Sequence, residues 1–223
     1  MAESPLPDYV WTEQIPHTEA YLLGPMQAIL NELAPPAARV LDLGCGNGAL
    51  AAQLMRWGYE PVGVDPSSSG IHQARMWLPG VAFHEAAADP DQLASLNLDP
   101  FDVVVSTEVV EHVYAPRRWA AAAFATLKPG GVLICSTPYH GYLKNCVLAL
   151  SGKLDAHFTA LWDYGHIKFW SRRTLTALLE EAGFQVVAFR GAGRLPWLWK
   201  SMLLAACKPR VWACGNRAIP WRQ

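Results

Sequence analysis

Residues 40–50 read VLDLGCGNGAL, an apolar strand that runs directly into a glycine loop and then into a helix. A second strand, YEPVGV at residues 59–64, leads to Asp65, 17 residues beyond the last loop glycine, Gly48. Glycines at a strand-to-helix turn let backbone N–H groups approach a ligand. An acid closing the next strand can accept hydrogen bonds from both hydroxyls of a ribose. Together they make a site for an adenosine-type nucleoside. The glycine spacing, D-x-G-x-G-x-G from Asp42, is not the G-x-G-x-x-G of dinucleotide sites.

Outward from this loop, short Val- and Leu-rich runs alternate with helical stretches. Strands are expected at residues 39–43, 60–65, 81–85, 101–106, 132–137, 184–190 and 202–207. Helices are expected at residues 18–33, 49–57, 67–77, 91–96, 116–127 and 171–182, with KPGG at 128–131 as a turn. Such alternation predicts a parallel sheet covered on both faces. The last two strands have no long helix between them, which suits an antiparallel addition at one edge. Residues 195–207, LPWLWKSMLLAAC, read as a short helix followed by a buried strand rather than a membrane-docking segment.

Composition narrows the function. At 223 residues and 52% hydrophobic content, the chain suits one folded unit and not a disordered one. Eighteen basic against 19 acidic residues give a net charge of −1, so no nucleic-acid partner is expected. The five cysteines (45, 135, 146, 207 and 214) form no C-x-x-C pair, and read as reduced thiols of a cytoplasmic protein. The opening MAESPLPD lacks the basic start and apolar core of a signal peptide. No apolar run reaches the ~18 residues of a membrane span, so no transmembrane segment is expected.

After the fourth strand comes TEVVEHV, residues 107–113. On one turn of helix Glu108, Glu111 and His112 would share a face, and valines would fill the other. Two carboxylates and an imidazole at the C-terminal rim of the sheet repel unless compensated, and a divalent cation would offset that.

The D-x-G-x-G-x-G loop, Asp65, FDVVVS at residues 101–106 and LKPGGVL at 127–133 occur in the order and spacing of class I S-adenosylmethionine (SAM) methyltransferases. The chain resembles that family from about residue 38 to 209. The resemblance implies an α/β, Rossmann-like, doubly wound seven-stranded sheet, mostly parallel with one antiparallel edge strand. It also implies SAM as cofactor. Gly44, Cys45 and Gly46 would present backbone to its methionine part, and Asp42 would orient the loop and the SAM amino group. Asp65 would hold the ribose and Thr107 would line the cofactor. Where an adenine-contacting acid often follows the third strand, this chain has alanines and then Asp89.

Within the family, Glu-x-x-Glu-His at residues 108–112 is similar to two groups: the O-methyltransferases of ubiquinone synthesis and the small-RNA 3′-terminal 2′-O-methyltransferases. In the second group the segment binds a metal with a distant histidine in a motif resembling GHIKFWSR, residues 165–172. His166, 54 residues beyond His112, would thus join Glu108, Glu111 and His112 around one cation, Mg²⁺ or a transition metal. That cation would lower the pKa of a diol or catechol hydroxyl. Alternatively, His112 or His166 is a metal-free general base, or the Glu-His pair is purely structural.

The expected reaction is O-methylation of a small hydroxylated aromatic, catechol- or diol-like acceptor. The alternatives are N- or C-methylation of a small metabolite, RNA 3′-end methylation, and SAM binding without turnover. The expected organisation is an N-terminal lid and helix at residues 1–37, a methyltransferase domain at 38–209 and a tail at 210–223. A substrate insertion at about 138–170 carries Tyr139, Tyr142, Phe158, Trp162 and Tyr164, which wall a flat acceptor or cover the sheet edge. By the same resemblance residues 9–17 fold over SAM, with His17 and Tyr21 near the methyl group. The other reading of that segment is a staple on the first helix.

Overall fold

The computed structural model describes residues 19–158, 160–163 and 165–210. The sequence of elements is α1 (Glu19–Leu33), β1 (Arg39–Leu43), α2 (Ala49–Arg56), β2 (Glu60–Asp65), α3 (Ser68–Trp77), β3 (Ala82–Glu85), α4 (Pro90–Ser95) and β4 (Phe101–Thr107). There follow α5 (Pro116–Thr126), β5 (Leu127–Pro138), α6 (Tyr142–Leu150), α7 (Leu154–Phe158), α8 (Arg172–Glu181), β6 (Gln185–Ala192) and β7 (Ser201–Cys207).

The strands form one seven-stranded sheet in the order β3-β2-β1-β4-β5-β7-β6. Strands β1 to β5 are parallel, and β7 enters between β5 and β6 antiparallel to both. The chain works outward from β1 to β3 and then returns to place β4 on the other side of β1. That reversal opens a crevice at the C-terminal ends of β1 and β4, where ligands bind in open α/β sheets.

Burial explains why these runs became central strands. Residues Val40, Val103, Val105, Ile134 and Leu203 point to one face, where α1 and α2 contribute Met26, Ile29, Leu30 and Leu54. Their neighbours Leu41, Leu43, Val104, Leu133 and Leu204 point to the other, covered by Trp119 of α5 and by Leu175 and Leu179 of α8. Alternation with period two on strands buried on both faces is what a doubly wound sheet requires. Trp119 also ties the layers near the crevice. Its Nε1 donates to Ser106 Oγ at 3.3 Å, and that hydroxyl donates to the Leu43 carbonyl at 2.7 Å.

Three local expectations change. The KPGG turn is absorbed into β5, because Gly130 N–H donates to the Lys208 carbonyl and Lys208 N–H to the Gly131 carbonyl, each at 2.8 Å. The connection after β5 folds into α6 and α7, led by helix formers such as Leu143, Lys144, Leu148 and Ala149. The short helix expected near residue 195 does not form: Pro196 is followed by Trp197 at φ 69°, and the chain turns directly into β7. Among the described residues no helix is long and apolar enough to cross a membrane. Cys45, Cys135, Cys146 and Cys207 are free thiols. The expected lid at residues 9–17, with His17, and the tail with Cys214 lie outside the described residues.

Candidate active site

The glycine loop leaves β1 through Gly44 at φ 89° and Gly46 at φ 51°, both in the left-handed region that side chains resist. A Cβ on Gly44 would stand 2.3 Å from Cγ2 of Val109, so only glycine lets this loop touch the segment after β4. The N–H groups of Gly44 and Cys45 both donate to the Val64 carbonyl, at 2.7 and 3.1 Å. Asp65 then clips the loop to the start of α3: Oδ2 accepts from Gly46 N–H at 2.9 Å and Oδ1 from Ser67 N–H at 2.8 Å. Asp42 is fully buried at the foot of the loop. Burial, then Asp42 and Asp65, push the Cys45 thiol well up, so Cys45 packs as a neutral group. Thr107 ends β4, in register with Ser136 of β5.

Asp89 is committed elsewhere. Its Oδ1 accepts from the N–H groups of Asp91 and Gln92, capping α4, and its carboxylate pairs with Arg118. Hydrogen bonding to Arg118 holds its pKa low. The partner Arg118 was not singled out from the sequence.

The segment after β4 is a tight turn and not a helix, because Glu108 takes φ 53° and His112 N–H closes onto the Val109 carbonyl at 2.9 Å. The shared helical face expected for Glu108, Glu111 and His112 is therefore broken at Glu108. Its carboxylate turns toward β5 and β7, accepting from Ser136 Oγ at 2.8 Å and Ser201 Oγ at 3.1 Å. Desolvation pushes it up to about 7, the serine hydroxyls pulling the other way. Ser201 in turn lies 3.4 Å from the Tyr21 hydroxyl, which puts Tyr21 of α1 at this rim. The two serines escaped the sequence reading, since Ser201 precedes the apolar run that marks β7.

Glu111 keeps the expected company of His112 and His166. One ligand atom from each of these three lies within 4.8 Å of the others, whereas Glu108 is not among them. Glu111 is 1% exposed, and neither of its carboxylate oxygens has a hydrogen-bond partner of good geometry among the described residues. Burial, and then Glu108, push its carboxyl well up. His166 Nε2 stands 4.0 Å from Oε1 of Glu111, and the His112 and His166 rings meet edge-on at 4.9 Å. Burial, then His112 and His157, hold His166 down to about 4, so it is a neutral imidazole near pH 7.

Backbone pairing delivers His166 to this place. Ile167 and Lys168 N–H groups donate to the Glu111 carbonyl at 2.9 and 3.0 Å, and Trp170 Nε1 donates to the Val110 carbonyl at 3.2 Å. A buried carboxylate beside two imidazoles, that of His166 neutral, fits a divalent cation by donor chemistry. Of the aromatics expected around the acceptor, Trp162 borders this cluster, 6.0 Å from His112 and 5.3 Å from His166. Phe158 instead stacks on His140, Tyr139 packs on Trp199, and Tyr142 is 87% exposed. Tyr164 lies outside the described residues.

A sheet of this order, with a glycine loop after β1 and an acid closing β2, defines the class I SAM-dependent methyltransferase fold. A family described as methyltransferase domain matches residues 18–188, and the chain belongs to it. Its relatives include a ubiquinone biosynthesis O-methyltransferase from Ruegeria sp. (strain TM1040), 32% identical over 164 residues, or 73% of this chain and 66% of that protein. The chain thus spans slightly under two thirds of the length of the first curated relatives it matches. Among solved structures, a SAM-dependent methyltransferase from Methanosarcina mazei superposes with a TM-score of 0.62 at 21% identity, covering 81% of this chain and 97% of that one. A Burkholderia thailandensis 1,6-didemethyltoxoflavin-N1-methyltransferase with bound S-adenosylhomocysteine gives 0.60 at 20% identity, covering 83% and 77%. At these identities the structural likenesses speak for the fold alone.

Proposed function

We propose that the chain transfers the SAM methyl group to a hydroxyl of a small catechol- or diol-like acceptor, assisted by a divalent cation. Glu111, His112 and His166 would hold the cation, with Glu108 beside them. The observation that carries this reading is the buried Glu111 carboxylate, without a hydrogen-bond partner of good geometry among the described residues and grouped with two histidines. One carboxylate with two imidazoles favours Mn²⁺, Fe²⁺, Co²⁺ or Zn²⁺ over Mg²⁺. Such a cation would supply charge that lowers the pKa of the acceptor hydroxyl.

The chain's own residues do the rest. Gly44, Cys45, Gly46 and Asp65 bind and orient SAM, whose sulfonium is already an activated leaving group, so positioning remains the main task. Trp162, edge-on to both histidine rings, would wall the acceptor side of the cluster. Glu108, held near 7 by burial and fixed by Ser136 and Ser201, is poised to take a proton at its carboxylate. That geometry also favours a second reading in which Glu108 is a general base and no metal is needed.

The insertion at 138–170 and the domain limits 38–209 are proposed as the acceptor-binding and catalytic parts. Free, buried Cys45 and Cys135 suit a reducing cytoplasm. The test is methyl transfer from labelled SAM to 3,4-dihydroxybenzaldehyde, with and without chelator, followed by Mn²⁺ re-addition. Chelator-sensitive turnover restored by Mn²⁺ is expected. Turnover indifferent to chelator removes the metal and leaves the Glu108 reading.

A further inference from the structure

Beside the Glu108 rim lies a cavity of about 690 Å³ between α6 and the loop joining β6 to β7. Leu148, Leu195 and Leu198 give it apolar walls, while Lys144, Arg194 and Lys200 bring three cationic groups to it. Lys144 is 6% exposed, and among the described residues its Nζ has one long hydrogen bond, to the Lys200 carbonyl at 3.3 Å. No carboxylate lies within ion-pair distance of any of the three among the described residues. A buried ammonium without a counter-ion is costly, and two further cations beside it raise that cost. Burial, then Arg194, hold Lys144 down to about 8, while Glu108 acts the other way. Lys200 lines the cavity, and its neighbour Ser201 donates to Glu108 at 3.1 Å while Lys200 Nζ stands 5.0 Å over the Tyr21 ring, so the cavity adjoins the rim proposed for the acceptor.

We propose that this cavity holds the remote part of the acceptor, and that this part is an amphiphilic anion: an apolar segment against the leucines and a carboxylate or phosphate among Lys144, Arg194 and Lys200. The inference rests on the small-acceptor reading above and deepens it by naming the substrate class. A hydroxylated ring at the Glu111 cluster and a negative group in the cavity would be parts of one molecule. The charge of that group offsets the cationic cluster, and its position fixes which hydroxyl faces SAM.

Two measurements on the full chain loaded with S-adenosylhomocysteine or SAM test it. In the first, calorimetry compares octanoate with octanol, neither of which can be methylated by the proposed reaction. Octanoate is expected to bind at least about 10-fold tighter, as for a charge-assisted contact. Arg194→Gln and Lys200→Gln, both at exposed positions that tolerate change, are expected to shrink that ratio toward unity. In the second, kcat/KM is compared for 3,4-dihydroxybenzoate and 3,4-dihydroxybenzaldehyde. A preference for the carboxylate of about 10-fold or more, carried in KM and erased by Arg194→Gln, is expected. Equal binding of octanoate and octanol, or a ratio unmoved by both substitutions, overturns the proposal. Octanoate selectivity without methylation of either catechol supports the anion cavity and rejects the O-methylation reading, so the two fail separately.

Discussion

His166 Nε2 lies 4.0 Å from Oε1 of Glu111, although 55 positions of sequence separate the two residues. Nothing local brings them together. The approach is made by residues 167 and 168, whose N–H groups both donate to the Glu111 carbonyl, so the residue that offers the carboxylate also anchors the backbone carrying the imidazole.

Glu111→Gln keeps the shape of the side chain and removes the charge a cation needs. In the variant, Mn²⁺ affinity measured by calorimetry should fall by more than the roughly 10–100-fold that loss of an outer-shell partner costs. In metal-free buffer the same variant should melt higher than the parent, by at least about 2 °C, because an uncompensated buried carboxyl is relieved. Unchanged Mn²⁺ binding would remove Glu111 from the ligand set.

Glu108 and His140 give the metal-free protein opposite responses to pH. Desolvation raises Glu108 from 4.5 to about 7. Its folded form therefore keeps a proton that the unfolded chain has lost, and this group's stabilising share is full below pH 4.5 and lost as pH rises through 7. His140 is lowered from 6.5 to about 4, by burial first and then Lys144. The unfolded chain binds the proton first, so stability is lost as pH falls from 6.5 toward 4. Melting curves should show Glu108→Gln equal to the parent near pH 4 and gaining on it up to pH 7. His140→Phe should show its advantage only on the acid side. Parallel melting profiles for parent and variants would refute these assignments.

Gly44→Ala puts a methyl group 2.3 Å from Val109 Cγ2 at a backbone φ of 89°. We expect a stability loss of about 1–3 kcal/mol, with weaker SAM binding. Val109→Ala in the same chain removes the contact but not the backbone strain, so it should recover part of the loss and not all of it. Full recovery would mean that the left-handed turn itself matters little.

The central sheet was legible because its strands are buried on both faces and read as largely apolar runs, Val40–Leu43 and Phe101–Val105 among them, each broken by one aspartate. The glycine loop was legible because its chemistry is local: Gly44 through Asp65 lie on one strand–turn–helix–strand unit. Glu111 and His112 were grouped by their spacing and His166 was added through a resemblance, and the fold does bring the three together. Glu108 was misplaced because a helical face was assumed where a left-handed residue turns the side chain toward Ser136 and Ser201. Ser201 and Lys144 stand where local sequence alone does not place them. Their positions depend on β7 entering beside β5 and on α6 folding over that edge, pairings made by tertiary contact.

The most direct test of the account is titration of S-adenosylhomocysteine into the purified protein by calorimetry, for the parent and for Asp65→Ala. The parent should bind one equivalent with a Kd at or below about 10 μM, near −7 kcal/mol. Asp65→Ala, which frees the Gly46 and Ser67 N–H groups and removes the ribose acceptor, should bind at least about 10-fold more weakly. No heat from the parent at saturating ligand, or identical binding by the variant, would contradict it.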